Sequence, residues 1–146
     1  MQVDFYQLEA RPVEQALPRI AERLLDAGAR LLVVADDEAM VERLDAALWA
    51  YREDAFLPHA IAGRDVDAVQ PVLLSPAVDA ANGARNIALA DGLWRDEALD
   101  FDRVFYLFDG ETVDGARAAW RALGGREAME RRFWKQDEHG KWSQVG

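Results

Sequence analysis

Cysteine is absent from this 146-residue chain, and histidine and lysine are nearly so, with His59, His139, Lys135 and Lys141 as the whole supply. Lack of cysteine excludes disulfides, thiolate zinc sites and cysteine nucleophiles together. The two histidines stand far apart and have no ligand-spaced acidic partner. They are expected as structural hydrogen-bonders, and no metal site is expected. No stretch approaches the ~18 consecutive apolar residues of a membrane span. The opening residues, MQVDFYQLEARPVEQ, carry acids where a signal peptide has a basic patch and an apolar run. A soluble cytoplasmic chain without membrane contact is expected. Neither glycine-rich phosphate motif, G-x-G-x-x-G or G-x-x-x-x-G-K-[ST], occurs. The segment EARPVEQ after the first predicted strand lacks the glycines that let a backbone approach a pyrophosphate. Ser75 and Ser143 sit in no nucleophile elbow. Neither a cofactor nor catalysis is expected.

What is abundant is apolar surface and acid. Hydrophobic residues make up 51% of the chain and charged ones 30%, which is enough apolar material for one domain, residues 1–146, with a real core. The net charge of −10 argues against direct nucleic-acid binding, which depends on neutralising phosphates. Charge is also unevenly placed. Residues 116–146 hold seven Lys and Arg against four acids, whereas the first 115 hold ten against 23. A chain of this kind meets anionic partners with its last part and repels them elsewhere, unless the bases simply form a solvated helix face.

Periodicity assigns the elements. VDFYQL, ARLLVVA, PVLLS, ARNIALA and FDRVFYLF read as strands, each bounded by turn-forming residues. In the helix PVEQALPRIAERLLDAG, Val13, Leu17, Ile20 and Leu24 recur at helical steps, and Pro18 is expected to kink or restart it. DDEAMVERLDAALWAY reads as a second helix, capped by Asp36 or Asp37. A third helical pattern runs from Val113 to Arg132, interrupted at Gly124 and Gly125, and the tail after it reads as turn-like around His139 and Gly140. This order implies an α/β fold, a three-layer sandwich with a mainly parallel central sheet, Rossmann-like without a phosphate-binding loop.

Three stretches compete for a function. The acid pair in LLVVADDEAM resembles the magnesium-holding pair of a two-component receiver, so a receiver-like or nucleotide-binding switch using Asp36 and Asp37 is the alternative reading. A receiver also needs an acceptor aspartate after a later strand, for which Asp79 is the candidate, and a lysine after a still later one. Both lysines lie in the tail, so helix capping explains the acids better. The second stretch, LWAYREDAFLPHAIAG, concentrates Trp49, Phe56, Leu57 and Pro58 where a helix runs out. Each aromatic alone reads as a cap on the core; together they suit a protein-docking hot spot. The third is ARAAWRAL, where Arg117 and Arg121 share a helix face and Trp120 lies beside Arg117. Two guanidinium groups next to an indole suit a peptide ending in an apolar side chain and a free carboxylate, and a core-facing Trp120 with solvated arginines fits the spacing equally.

FYQLE, LLVVADDEAMVERLDAALWAYREDAFLPHAIAG, QPVLLS, FDRVFYLFD, ARAAWRAL and WKQDEHGKW together resemble the chi-subunit family of bacterial DNA polymerase III, over nearly the whole length. The specific part holds the aspartate pair, L-D-x-x-L-W, F-x-P-H and A-G. The resemblance implies a non-catalytic adaptor of the clamp-loader complex. It would bind the psi subunit and the acidic C-terminal tail of single-stranded DNA-binding protein. The partner-facing aromatic pair falls on Trp49 and Phe56, and the tail-binding arginine and its aromatic neighbour fall on Arg117 and Trp120. Two departures stand out: Val113 where the family often has lysine, a charge contact that is either missing or supplied by Arg121, and Leu123 and Gly124 where related chains tend to have a tyrosine–arginine pair.

Overall fold

The computed structural model describes residues 1–51 and 56–146. Its elements, in chain order, are β1 (Gln2–Gln7), α1 (Val13–Asp26), β2 (Leu31–Val34), α2 (Glu38–Trp49), β3 (His59–Ile61), β4 (Val72–Ser75), β5 (Asn86–Leu89), β6 (Arg103–Phe108), α3 (Val113–Leu123), β7 (Glu130–Gln136) and β8 (Trp142–Gln144), with short 3₁₀ turns at Asp67–Val69 and Asp96–Asp100. The strands form one sheet in the order β3-β4-β2-β5-β6-β1-β7-β8. Every neighbouring pair is parallel except β7 with β8. Strands β2 and β4 are buried along their whole length, as expected for continuous apolar runs covered on both faces.

The period-2 alternation of β1 divides the core. Val3 and Phe5 enter one apolar cluster with Leu32, Val104 and the buried residues of α3. Tyr6 and Leu8 point to the other, built by α1, α2, Val33 and Leu107. Two clusters, one per face, make the three-layer α/β sandwich with a mainly parallel sheet.

Two expectations need correction. Pro18 does not interrupt α1, which runs continuously with Pro18 buried. The hydrogen bond it forfeits would reach the Glu14 carbonyl in the first turn, and its ring adds to the buried face. The third helix stops at Leu123 instead of continuing towards Arg132. After Gly124 and Gly125 the chain turns, with Ala128 at φ 57°, and enters β7 beside β1. The turn around His139 and Gly140 forms as expected, and it joins β7 to β8, which pairs with the end of β7. Arg131 and Phe133 face α3, whereas Trp134 and Gln136 face α1, a strand alternation that helical spacing disguises.

The crevice at the carboxyl ends of β1, β5 and β6, about 570 Å³, is where open α/β sheets bind nucleotides. Here Glu9, Glu14, Asp91, Asp109 and Glu111 outnumber Arg11 and Arg43 along its wall. The backbone N–H groups of Glu9, Ala10 and Arg11 all donate to Gln136 Oε1, each at 3.1 Å. The donors that a phosphate would need at this turn are already engaged. No helix among the described residues is long and apolar enough to cross a membrane.

Candidate protein-docking surfaces

The first surface grows from the end of α2. Asp37 caps the helix, its Oδ1 accepting the Ala39 N–H at 3.0 Å. The Asp36 backbone N–H donates to Asp91 Oδ2, so the Asp37 carboxylate and the Asp36 main chain fix the start of α2. Among the described residues no group of three or more His, Cys, Asp or Glu side chains could hold a metal ion. Val41, Leu44 and Leu48 pin one side of α2 to the sheet. Trp49, one position further round, is thereby carried outward.

Trp49 is 60% exposed and Phe56 71% exposed, and their ring centroids lie 6.1 Å apart. These are the exposed large aromatics among the described residues. Beneath them His59 is buried, its ring 4.7 Å from that of Trp49. His59 Nδ1 lies 2.6 Å from the Leu57 carbonyl, which makes Nδ1 the protonated donor, and Nε2 faces Asp45 Oδ1 at 3.2 Å. Leu57 is 4% exposed and belongs to the core. It supports the surface from below, where the sequence reading had put it among the partner-facing residues, because burial of Leu57 and His59 is what turns Phe56 outward. Pro58 is half-buried. Residues 52–55, also part of the predicted docking segment, lie outside the described residues.

The second surface is on α3. Ala116, Ala119 and Leu123 are buried, leaving Arg117 and Arg121 exposed and Trp120 half-buried between them. Trp120 meets Phe5 and Phe133 edge-on, at 5.2 and 5.7 Å between centroids. A cavity of about 290 Å³ opens over it, lined by Arg117, Trp120, Arg121, Phe133, Val145 and Gly146. Arg117 Nη1 stands 3.9 Å from Asp114 Oδ1, an exposed pair that leaves the guanidinium available. Arg121 has no ion-pair partner among the described residues.

Sequence spacing thus brought Arg117, Trp120 and Arg121 together correctly but missed the other wall. Phe133 arrives on β7, and Val145 and Gly146 are held against it by backbone hydrogen bonds with Phe133. Arg131 lies over the Trp120 ring, 4.1 Å from its centroid, and donates to the Trp120 carbonyl. A Cβ at position 124 would meet that guanidinium at 3.0 Å. The alternation of RRFWKQ was the available signal for these residues.

These surfaces meet an independent comparison. The family profile described as DNA polymerase III chi subunit, HolC, matches residues 1–131. This chain belongs to the chi-subunit family of DNA polymerase III. It is 33% identical over 78 residues to DNA polymerase III subunit chi of Escherichia coli (strain K12), covering 53% of each chain. It is 36% identical over 75 residues to the subunit of that name in Pseudomonas aeruginosa PAO1, covering 49% of this chain and 51% of the relative. The chain therefore spans about half the length of the curated relatives it matches.

Proposed function

We propose that this chain is a cytoplasmic, non-catalytic adaptor of the DNA polymerase III clamp-loader complex. It joins the psi subunit to the acidic C-terminal tail of single-stranded DNA-binding protein. Family membership supports a place in DNA replication. The observation that carries the tail-binding half is the pairing of two exposed guanidinium groups with an indole-floored cavity on one helix. A terminal carboxylate would be held by Arg117 and Arg121, and an apolar terminal side chain would enter beside Trp120 and Phe133. Where the resemblance leads one to expect a tyrosine–arginine pair, Gly124 leaves room for Arg131, which braces the indole instead.

The psi-binding half rests on Trp49 and Phe56, rigid rings exposed together over a buried support. Titration of an acidic peptide ending in phenylalanine tests the tail site. Arg117→Ala is expected to weaken binding by about 1.5–3 kcal/mol, the worth of a charged hydrogen bond. Equal affinities for wild type and variant would remove Arg117 from the site.

A further inference from the structure

A second cationic groove lies on the opposite face of the sheet. It runs between α1 and the β7–β8 hairpin. One part, about 230 Å³, is bordered by Arg11, Gln15, Arg19, His139 and Trp142. Past Arg19 and Trp142 it continues to Tyr6, Ile20 and Arg23. Trp142 and Tyr6 pack against the α1–α2 core cluster, whereas Trp120 and Phe133 pack against the α3 cluster. The two sites are therefore separated by the thickness of the sheet.

No carboxylate lines either part of this groove, in a chain whose acids outnumber its Lys and Arg by 27 to 17. Arg19 and Arg23 are exposed and have no ion-pair partner among the described residues. They stand four apart on α1, a spacing at which like charges repel and destabilise a helix unless an anion lies between them. Arg11 is held across the hairpin by Gln15 Oε1 at 3.2 Å and by the His139 carbonyl at 3.5 Å. Gly140 is what admits it: a Cβ there would stand 2.4 Å from Arg11 Nε. Of the acids at the hairpin turn, Asp137 accepts the His139 and Lys141 backbone N–H groups and Glu138 faces His139 at 3.5 Å. Between the cations, Ala16, Ile20 and Trp142 line one small apolar notch of about 40 Å³, room for a methyl-sized group.

From this arrangement we propose that the α1–β8 groove binds an acidic peptide segment, one apolar side chain flanked by carboxylates, independently of the α3 site. Three arginines match carboxylates on either side, and the notch of about 40 Å³ takes one small apolar side chain such as alanine. Single-stranded nucleic acid fits less well. It needs successive free rings for its bases, and here Tyr6 and Trp134 are stacked on each other at 6.2 Å. The net charge of −10 also opposes a polyphosphate more strongly than a short peptide.

The test uses the full chain carrying Arg117→Ala and Arg121→Ala, so that the α3 site cannot contribute. An acetylated, amidated Glu-Glu-Ala-Glu-Glu peptide with a fluorescent label is titrated by anisotropy, with an oligothymidylate of twenty nucleotides in a parallel arm. The peptide is expected to bind and to shift the Trp142 indole N–H resonance. Adding Arg19→Glu and Arg23→Glu, both exposed, should weaken it at least about tenfold, or about 1.4 kcal/mol. Arg19→Gln with Arg23→Gln, which adds no like-charge pair to α1, should weaken it in the same direction. Absence of peptide binding, or binding indifferent to those two charge reversals, overturns the proposal. Tighter binding of the oligonucleotide than of the peptide overturns it in favour of nucleic acid. Since the α3 arginines are already removed, each of these results leaves the tail site to be judged separately.

Discussion

Asp4 lies in the centre of the sheet with no exposed surface, yet three side chains satisfy it: Gln2 Nε2 at 2.8 Å, Arg103 at 3.0 Å and Trp134 Nε1 at 3.0 Å. Removing one partner of a buried ion pair strands the other charge. Arg103→Ala is expected to cost about 3 kcal/mol in urea denaturation, more than its half-buried position alone implies. Unchanged stability would mean that the Arg103 contact is not what satisfies Asp4. Tyr6 shares this environment, and burial together with the Asp4 carboxylate pushes its phenol up to about 12. Gln136 is a second single-residue linchpin, one oxygen serving three backbone donors. Gln136→Ala should destabilise by about 2 kcal/mol, the scale of unsatisfied buried donors. Gln136→Glu, which keeps the acceptor, should retain more of the stability, and equal losses would show that the acceptor is not what matters.

At the scale of elements, each proposed surface depends on where a helix ends. Helix α2 stops just as Trp49 clears the sheet, so the indole is presented and its neighbours Leu48 and Leu57 are buried. Phe56→Ala is therefore expected to leave thermal stability within about 0.5 kcal/mol, as exposed substitutions do. It should spare peptide binding at α3 and impair capture of psi. Loss of both would mean that Phe56 does not act through the α2 surface alone. Helix α3 begins after a tight Asp109–Thr112 turn, in which Asp109 Oδ1 accepts the N–H groups of Glu111 and Thr112. Gly92 permits that turn to approach, since it has φ 77° and a Cβ there would lie 2.4 Å from Thr112 Oγ1. Gly92→Ala would displace the start of α3 and with it Arg117. Its expected signature is combined loss of stability and tail affinity, whereas Arg117→Ala affects affinity alone.

Over the whole molecule, charge decides behaviour. The acidic body repels polyanions while local clusters of arginine remain available, so tail binding should fall steeply as salt screens these exposed groups. Acid stability has a separate source in Asp91. Burial works to raise its carboxyl, but hydrogen bonds from Arg95 and from the Asp36 and Leu93 backbones prevail and hold it below the ordinary carboxylate value. A depressed folded-state pKa stabilises above the ordinary value and loses that contribution as pH falls through the lowered one. Melting of the wild type on acidification should therefore decline more steeply than that of Asp91→Asn. Parallel acid limbs would contradict this.

Local pattern was enough for the parallel core. Apolar runs, helical spacing and acids at a helix start are written within a few residues of one another, so β1, β2, β4, β5, β6 and the first two helices were legible. So was the helical face shared by Arg117 and Arg121, because four residues make about one turn. The C-terminal strands were not, since RRFWKQ satisfies both periods weakly and only pairing with β1 selects extension. Likewise the second walls of both arginine-lined clefts come from the C-terminal segment: for the α1 groove it lies more than a hundred residues away in sequence, and for the α3 cleft it is brought back only by the pairing of β7 with β1. Which side of a residue faces solvent was also beyond local pattern: Phe56 and Leu57 are neighbours of similar hydrophobicity, and only the packing of the sheet edge buries one and exposes the other.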